Sequence, residues 1–295
     1  NPEKTTETVK NDDGSTTTTT KDDANDDGKV DGTTVTEDKD SDGNPEKTTE
    51  SKDTDNDGKD DTKTVTEDTN DDGKADKVTE TVDLDEDGTP EKTTETVTND
   101  DGSTTTTTKV DEDDDGKVDS TTVAEDKDSD GNPETTTTDA DTDKDDKDDT
   151  KTVSEDTNDD GKADKVTETV DLDEDGTPEK ITETVTNPDG STKETVTEDT
   201  DDNGKPNKVT ETVTQPDGST VTTTKVDTND DDILDTETVT EKDPEGNTTK
   251  ETVTVDADED GTPEKVTETV TNDDGSTTTT TKVDEDDDGK VDSTT

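Results

Sequence analysis

The chain has 295 residues, 96 acidic against 30 basic side chains, a formal charge of −66, and 13% hydrophobic residues, with no aromatic, cysteine, methionine or histidine. That is the composition of a disordered polyanion, and it is too poor in apolar side chains for a hydrophobic core, so backbone hydrogen bonds and bound cations must hold any fold the chain has. It excludes disulfides and thiolate metal sites, repels nucleic acid and anionic membrane surfaces, and offers no run near the ~20 apolar residues that a membrane span needs.

Internal repetition organises the whole chain. It opens with Asn1-Pro2-Glu3, which matches the end of a later repeat, and closes with Ser293-Thr294-Thr295, which matches a strand start; both ends read as lying inside repeats of a longer array. A short turn, Asn11-Asp12-Asp13-Gly14, comes first. Then follow nine-residue loops with an acid or amide at positions 1, 3, 5 and 9: Asp23, Asn25, Asp27, Asp31; Asp38, Asp40, Asp42, Glu46; Asp53, Asp55, Asp57, Asp61; Asp68, Asn70, Asp72, Asp76; and Asp83, Asp85, Asp87, Glu91. After a short turn at Asn99 the series resumes with Asp111, Asp113, Asp115, Asp119; Asp126, Asp128, Asp130, Glu134; Asp141, Asp143, Asp145, Asp149; Asp156, Asn158, Asp160, Asp164; and Asp171, Asp173, Asp175, Glu179. Beyond Asn187 short turns and loops alternate: Asp199, Asp201, Asn203, Asn207; then Gln215 and Asp227, Asn229, Asp231, Asp235; then Asp243 and Asp256, Asp258, Asp260, Glu264; then Asn272 and Asp284, Asp286, Asp288, Asp292.

Between reversals lie six to eight residues such as Thr62–Glu67 and Lys77–Val82, rich in Thr and Val, strictly alternating and too short for helices. These predict β-strands. Thr62, Thr64 and Thr66 share one side of their strand and Val78, Glu80 and Val82 one side of theirs. We therefore expect one sheet face that is largely threonine and another that mixes valine with Lys and Glu able to pair across strands. Numbering all twenty reversals puts the six short turns at odd places only, so a chain that reverses at each connection carries nothing but acidic loops on its even edge, ten against four on the other. The expected fold is all-β, one repetitive domain over 1–295 built from 28- to 30-residue strand pairs: an antiparallel ribbon or meander, with a two-sided solenoid as the alternative.

Carboxylates at 1, 3, 5 and 9 around a glycine at 6, present in twelve of the fourteen loops, are how a short segment wraps oxygens around a hard cation. Calcium, with six to eight flexible oxygen ligands, suits this better than magnesium. A plain acidic linker would not keep the glycine in place. Position 12 is threonine in most copies (Thr79, Thr94, Thr122), so this is no EF-hand. Asp146 and Asp232 hold the glycine position of their loops, and the loop from Asp199 carries Asn203 and Asn207; these three loops should bind most weakly.

The pattern Asp-x-Asp-x-Asp-Gly-x-x-Asp/Glu resembles the calcium loops of FG-GAP (integrin-type) repeats and of thrombospondin type 3 repeats, without their Phe-Gly, Gly-Ala-Pro or cysteine signatures. Asp243-Pro244-Glu245-Gly246-Asn247 resembles the hairpin turns of tyrosine-aspartate (Rhs-type) repeats, without the tyrosines. These resemblances imply an extracellular or cell-surface repeat stiffened by about fourteen calcium ions. The expected function is a structural stalk or filament segment of a secreted or surface-anchored prokaryotic protein, with calcium and copies of itself in a fibre or bundle as partners. An adhesin or ice-binding module using the threonine face, and an acidic calcium-sequestering matrix protein, are the alternatives. Catalysis has no support, because nothing in the chain can form an apolar pocket that shifts a pKa.

Overall fold

The structure is a computed structural model and describes residues 3–229, 231–272, 274–286 and 289–295; Asp288 of the last loop lies outside them. Every regular element among the described residues is a strand. The chain divides into two compact units, 1–148 with 159–161, and 149–158 with 162–295.

The first unit contains β1 (Glu3–Lys10), β2 (Thr16–Asp23), β3 (Gly32–Asp38), β4 (Lys47–Lys52), β5 (Thr62–Glu67), β6 (Lys77–Val82), β7 (Lys92–Thr98), β8 (Thr104–Val110), β9 (Ser120–Asp126) and β10 (Thr135–Ala140). Each pairs antiparallel with the next. The second unit runs the same way through β11 (Thr150–Glu155), β12 (Lys165–Val170), β13 (Lys180–Thr186), β14 (Thr192–Glu198), β15 (Lys208–Thr214), β16 (Thr220–Val226), β17 (Thr236–Lys242), β18 (Thr248–Val255), β19 (Lys265–Thr271), β20 (Thr277–Val283) and β21 (Ser293–Thr294). The antiparallel meander is therefore the fold, and the solenoid alternative is not adopted.

The alternation of reversals holds within each unit. In the first, the loops from Asp23, Asp53, Asp83 and Asp111 share one edge, while the other carries the turns at Asn11 and Asn99 with the loops from Asp38, Asp68 and Asp126. In the second, Asp171, Asp199, Asp227, Asp256 and Asp284 begin the loops of one edge. The opposite edge holds the loop from Asp156 and four short turns.

The short turns share one backbone closure, as at Asn99. The side-chain closure is common to all but the turn at Asp243, whose own carboxylate accepts from the Asn247 N–H (2.8 Å). Asn99 N–H donates to Ser103 C=O (2.9 Å), Gly102 N–H returns to Asn99 C=O (2.9 Å), and the Asp101 carboxylate accepts from the Ser103 N–H (3.0 Å) and hydroxyl (2.7 Å). The two donors hold the Asp101 carboxyl below its usual range, the serine hydroxyl first.

The faces differ from the expected division. Thr62 stands opposite Val82, Thr64 opposite Glu80 and Thr66 opposite Val78. The threonines of β5 therefore share a face with the valines and glutamate of β6, whose own threonines, Thr79 and Thr81, lie on the other side. The second unit repeats this where Thr152 opposes Glu168 and Thr182 opposes Val196. Threonine rows are thus interrupted rather than continuous. Where they do run together, hydroxyls meet across strands, as in Thr96–Thr106 (3.1 Å) and Thr122–Thr138 (3.0 Å). The expected Lys–Glu pairs form: Lys77–Glu95 (2.6 Å), Lys165–Glu183 (2.7 Å) and Lys193–Glu211 (2.7 Å) are diagonal, and Lys208–Glu198 (2.7 Å) is direct.

No hydrophobic side chain is buried among the described residues. The buried residues are fourteen loop aspartates, all at positions 1 or 9, and Ser191. Burial has moved from the faces of the sheet to its edges.

Candidate metal centres

Each loop is built by its own backbone. The first aspartate accepts from the N–H of position 6: Gly28 to Asp23 (2.9 Å), Gly73 to Asp68 (2.8 Å), Gly116 to Asp111 (2.9 Å), Gly204 to Asp199 (2.8 Å). The N–H of position 7 donates to the carboxylate of position 5, as Lys74 does to Asp72 (2.9 Å) and Thr262 to Asp260 (2.8 Å). The closing residue accepts from the N–H of position 2: Ala24 to Asp31 (2.6 Å), Lys39 to Glu46 (2.6 Å), Leu172 to Glu179 (2.9 Å), Thr228 to Asp235 (3.0 Å). In several loops position 3 accepts from the N–H of position 5, as Asp55 does from Asp57 (2.9 Å). These donors turn the acids inward, and their remaining lone pairs converge.

The convergence is metric. Oxygens of Asp38, Asp40 and Asp42 lie within 4.8 Å of one another, as do those of Asp53, Asp55 and Asp61, and those of Asp83, Asp85 and Glu91. Positions 1, 3 and 5 converge in the first of these loops, and positions 1, 3 and 9 in the other two. The loop from Asp141 divides between the units: Asp141, Asp143 and Asp145 belong to the first, Asp149 to the second. Asp156, Asn158 and Asp164 belong to the second unit and Asp160 to the first.

The backbone at position 6 has positive φ throughout, from Gly88 at 99° to the two substituted positions, Asp146 at 82° and Asp232 at 76°. Both aspartates are met by the position-7 lysine of the preceding loop on their edge: Lys117 reaches Asp146 (2.7 Å) and Lys205 reaches Asp232 (2.9 Å).

A second left-handed residue escaped the sequence reading. Position 4 also has positive φ wherever it is described, for example Asp26 at 62°, Glu86 at 61°, Asp114 at 59° and Lys144 at 67°. The signal was present: the fourteen residues there are Asp, Ser, Asn, Glu or Lys, never β-branched. In the first unit this turn aims side chains such as Glu86 and Asp114 away from their own loop and into the preceding one on the same edge. Glu86 thereby joins Asp55 and Asp57, and Asp114 joins Asp85 and Asp87, each trio within 4.8 Å. Backbone bonds seat the loops on one another: Asp83 N–H donates to Asp61 C=O (2.9 Å), Asp111 to Glu91 (3.0 Å) and Asp199 to Glu179 (2.9 Å).

The electrostatic consequence is local frustration. Burial, with Asp85 and Asp87 beside it, pushes the Asp114 carboxyl up to about 6. Burial and Asp173 raise Asp202; burial and Asp42 raise Asp71. Against the Lys59 hydrogen bond that lowers it, burial and Asp57 carry Glu86 above its ordinary value. One oxygen of the first aspartate is buried without a hydrogen-bond donor in the loops from Asp83, Asp171, Asp256 and Asp284. A buried carboxylate oxygen with no donor, facing other carboxylates, is matched chemically by a cation. The residues fit calcium: oxygen donors only, several per loop, with no nitrogen or sulfur ligand. No protein-family model and no curated protein matches this chain.

Proposed function

We propose that the chain is a calcium-stiffened structural segment, a stalk or filament section of a secreted or surface-anchored prokaryotic protein, in which the loop carboxylates hold the ions and the strands set the spacing. The observation that carries this reading is the buried set: carboxylates at loop positions 1 and 9, and no hydrophobic residue among those described. A fold that hides acids in place of a core is stable only when something positive compensates them. Thirty basic residues against 96 acids cannot do so alone. Calcium in the millimolar range outside cells is a plentiful hard cation that suits weak, flexible oxygen sites. The ion supplies charge neutralisation and a shell for the orphaned oxygens; positions 1, 3, 5 and 9, with position 4 of the neighbouring loop, are the residues that would hold it.

The interrupted threonine rows give less support to an ice-binding or adhesive hydroxyl face, since β6 presents Val78, Glu80 and Val82 where a continuous array needs threonine. Far-ultraviolet circular dichroism before and after chelation tests the proposal. At ~2 mM calcium and a site constant of ~0.1 mM, each site contributes about 1.8 kcal/mol, so the strand signal should collapse in excess chelator and return with calcium. A β signal and melting temperature unchanged without divalent ions would overturn it.

A further inference from the structure

Within the first unit, position 4 is where a loop meets its predecessor on the edge, and its chemistry follows what that predecessor is. After a short turn it is serine: Ser41 donates to the Gly14 carbonyl (2.7 Å), and Ser129 donates to the Gly102 carbonyl. After an acidic loop it is an acid or amide: Asn56 accepts from Asn25 (2.8 Å), while Glu86 and Asp114 enter the carboxylate sets of the loops from Asp53 and Asp83. The loop from Asp111 meets something different. Its neighbour presents Lys144, whose ammonium lies 2.9 Å from Asp113 and 3.5 Å from both oxygens of Asp119, the third and ninth positions of that loop.

The same two loops are tied in the opposite sense by Lys117, 2.7 Å from Asp146. At this joint, therefore, lysine charges stand on both sides where the loops from Asp53 and Asp83 meet further carboxylates. A tethered ammonium has a high effective concentration at its ligands, and a divalent ion entering the same oxygens meets like charge at contact distance.

We propose that Lys144 serves as the resident cation of the loop from Asp111, so that this loop does not take calcium although its sequence carries every ligand; the inference rests on the calcium reading of the other loops. Lysine then fixes one joint independently of calcium, while the loops around it respond to the ion.

The test uses the full chain labelled with 15N-glycine and titrated with calcium, following the amide of Gly116, which donates to Asp111, beside that of Gly88, which donates to Asp83. In the wild type Gly88 should shift and saturate near about 1 mM, and Gly116 should move only in that same step, because Asp114 belongs to the carboxylate set of the loop from Asp83. In Lys144→Asn, which installs the residue that position 56 already carries with φ of 67°, Gly116 should show a second calcium-dependent shift, and equilibrium dialysis should count one more bound calcium than in the wild type. Strand circular dichroism confirms that the variant is folded. Equal calcium counts in the two proteins overturn the inference while leaving the calcium reading standing. Silence at every loop glycine overturns the calcium reading, and this inference with it.

Discussion

Replacing Gly88 by alanine isolates the backbone demand of position 6. Gly88 sits at φ +99°, and a Cβ built there meets nothing within 4 Å, so the substitution is free of any clash. What remains is the left-handed conformation itself, which costs an L-residue about 1–2 kcal/mol. A unit of this size loses about 2–4 °C of melting temperature per kcal/mol, so Gly88→Ala should melt about 2–8 °C lower in calcium. The control is Gly32 in β3, which has no positive φ and whose added Cβ would meet only the Ser51 carbonyl, at an ordinary 3.6 Å. Gly32→Ala restricts the unfolded chain and should stabilise by about 0.5–1 kcal/mol. At Gly161 the same change adds crowding, because the Cβ would lie 3.1 Å from Asn132 Oδ1. The expected order of melting is Gly32→Ala above wild type, then Gly88→Ala, then Gly161→Ala, read by circular dichroism at fixed calcium. Equal melting of Gly88→Ala and Gly32→Ala would refute the argument that position 6 is chosen for its φ.

Asp146→Gly should change the melting temperature little, since relief of its left-handed strain comes with loss of the Lys117 pair. In a Lys117→Ala background the same change should raise the melting temperature, and a fall there would show that Asp146 is not strained. Stability without metal should rise as pH falls from 7 to 5. Asp114, with its folded value near 6 above its ordinary 3.8, takes up its proton in the folded state first, so folding gains protons across that window. Asp202 and Asp71 are raised in the same direction. In chelator the strand signal lost at pH 7 should therefore return in part toward pH 5, and no return across that window would contradict this. Calcium-saturated protein should show the opposite trend, because protonation competes with the ion.

Much of this was legible because the loops are local. Nine residues with Asp at 1 and Gly at 6 fold on their own backbone donors, so spacing alone located the acids that converge, and Asp85 and Glu91 meet Asp83 as read. The strict alternation of Thr62–Glu67 likewise fixed strand identity. The division of the faces was misread although the arithmetic was available. Nine residues between Glu67 and Lys77 place even-numbered residues opposite even-numbered ones, which sets Thr64 against Glu80 rather than against Thr79. The role of position 4 was not legible in any one loop. Glu86 acts on Asp55 and Asp57, thirty-one and twenty-nine residues earlier, and only the stacking of loops along an edge brings them together. The same holds for Lys144: within its own loop it reads as a solvated lysine, and its meaning depends on Asp113.

The location of burial also decides how such a chain comes apart. In an ordinary domain a core joins distant segments, so losing one contact weakens the whole. Here the described buried residues are, apart from Ser191, loop aspartates at the edges. In the first unit a loop is joined to the one before it on its edge through one backbone bond, such as Asp83 N–H to Asp61 C=O (2.9 Å), and through position 4, as Glu86 joins Asp55 and Asp57. Energy is therefore shared between nearest neighbours, as in a linear array of repeats, and unfolding should start where a neighbour contributes least. Lengthening such an array costs no redesign of a core, because every added strand pair brings its own loop and its own position 4. The limit is charge: each added loop deepens the excess of acid over base, so the array can extend only as far as cations, whether ions or its own lysines, keep pace with it.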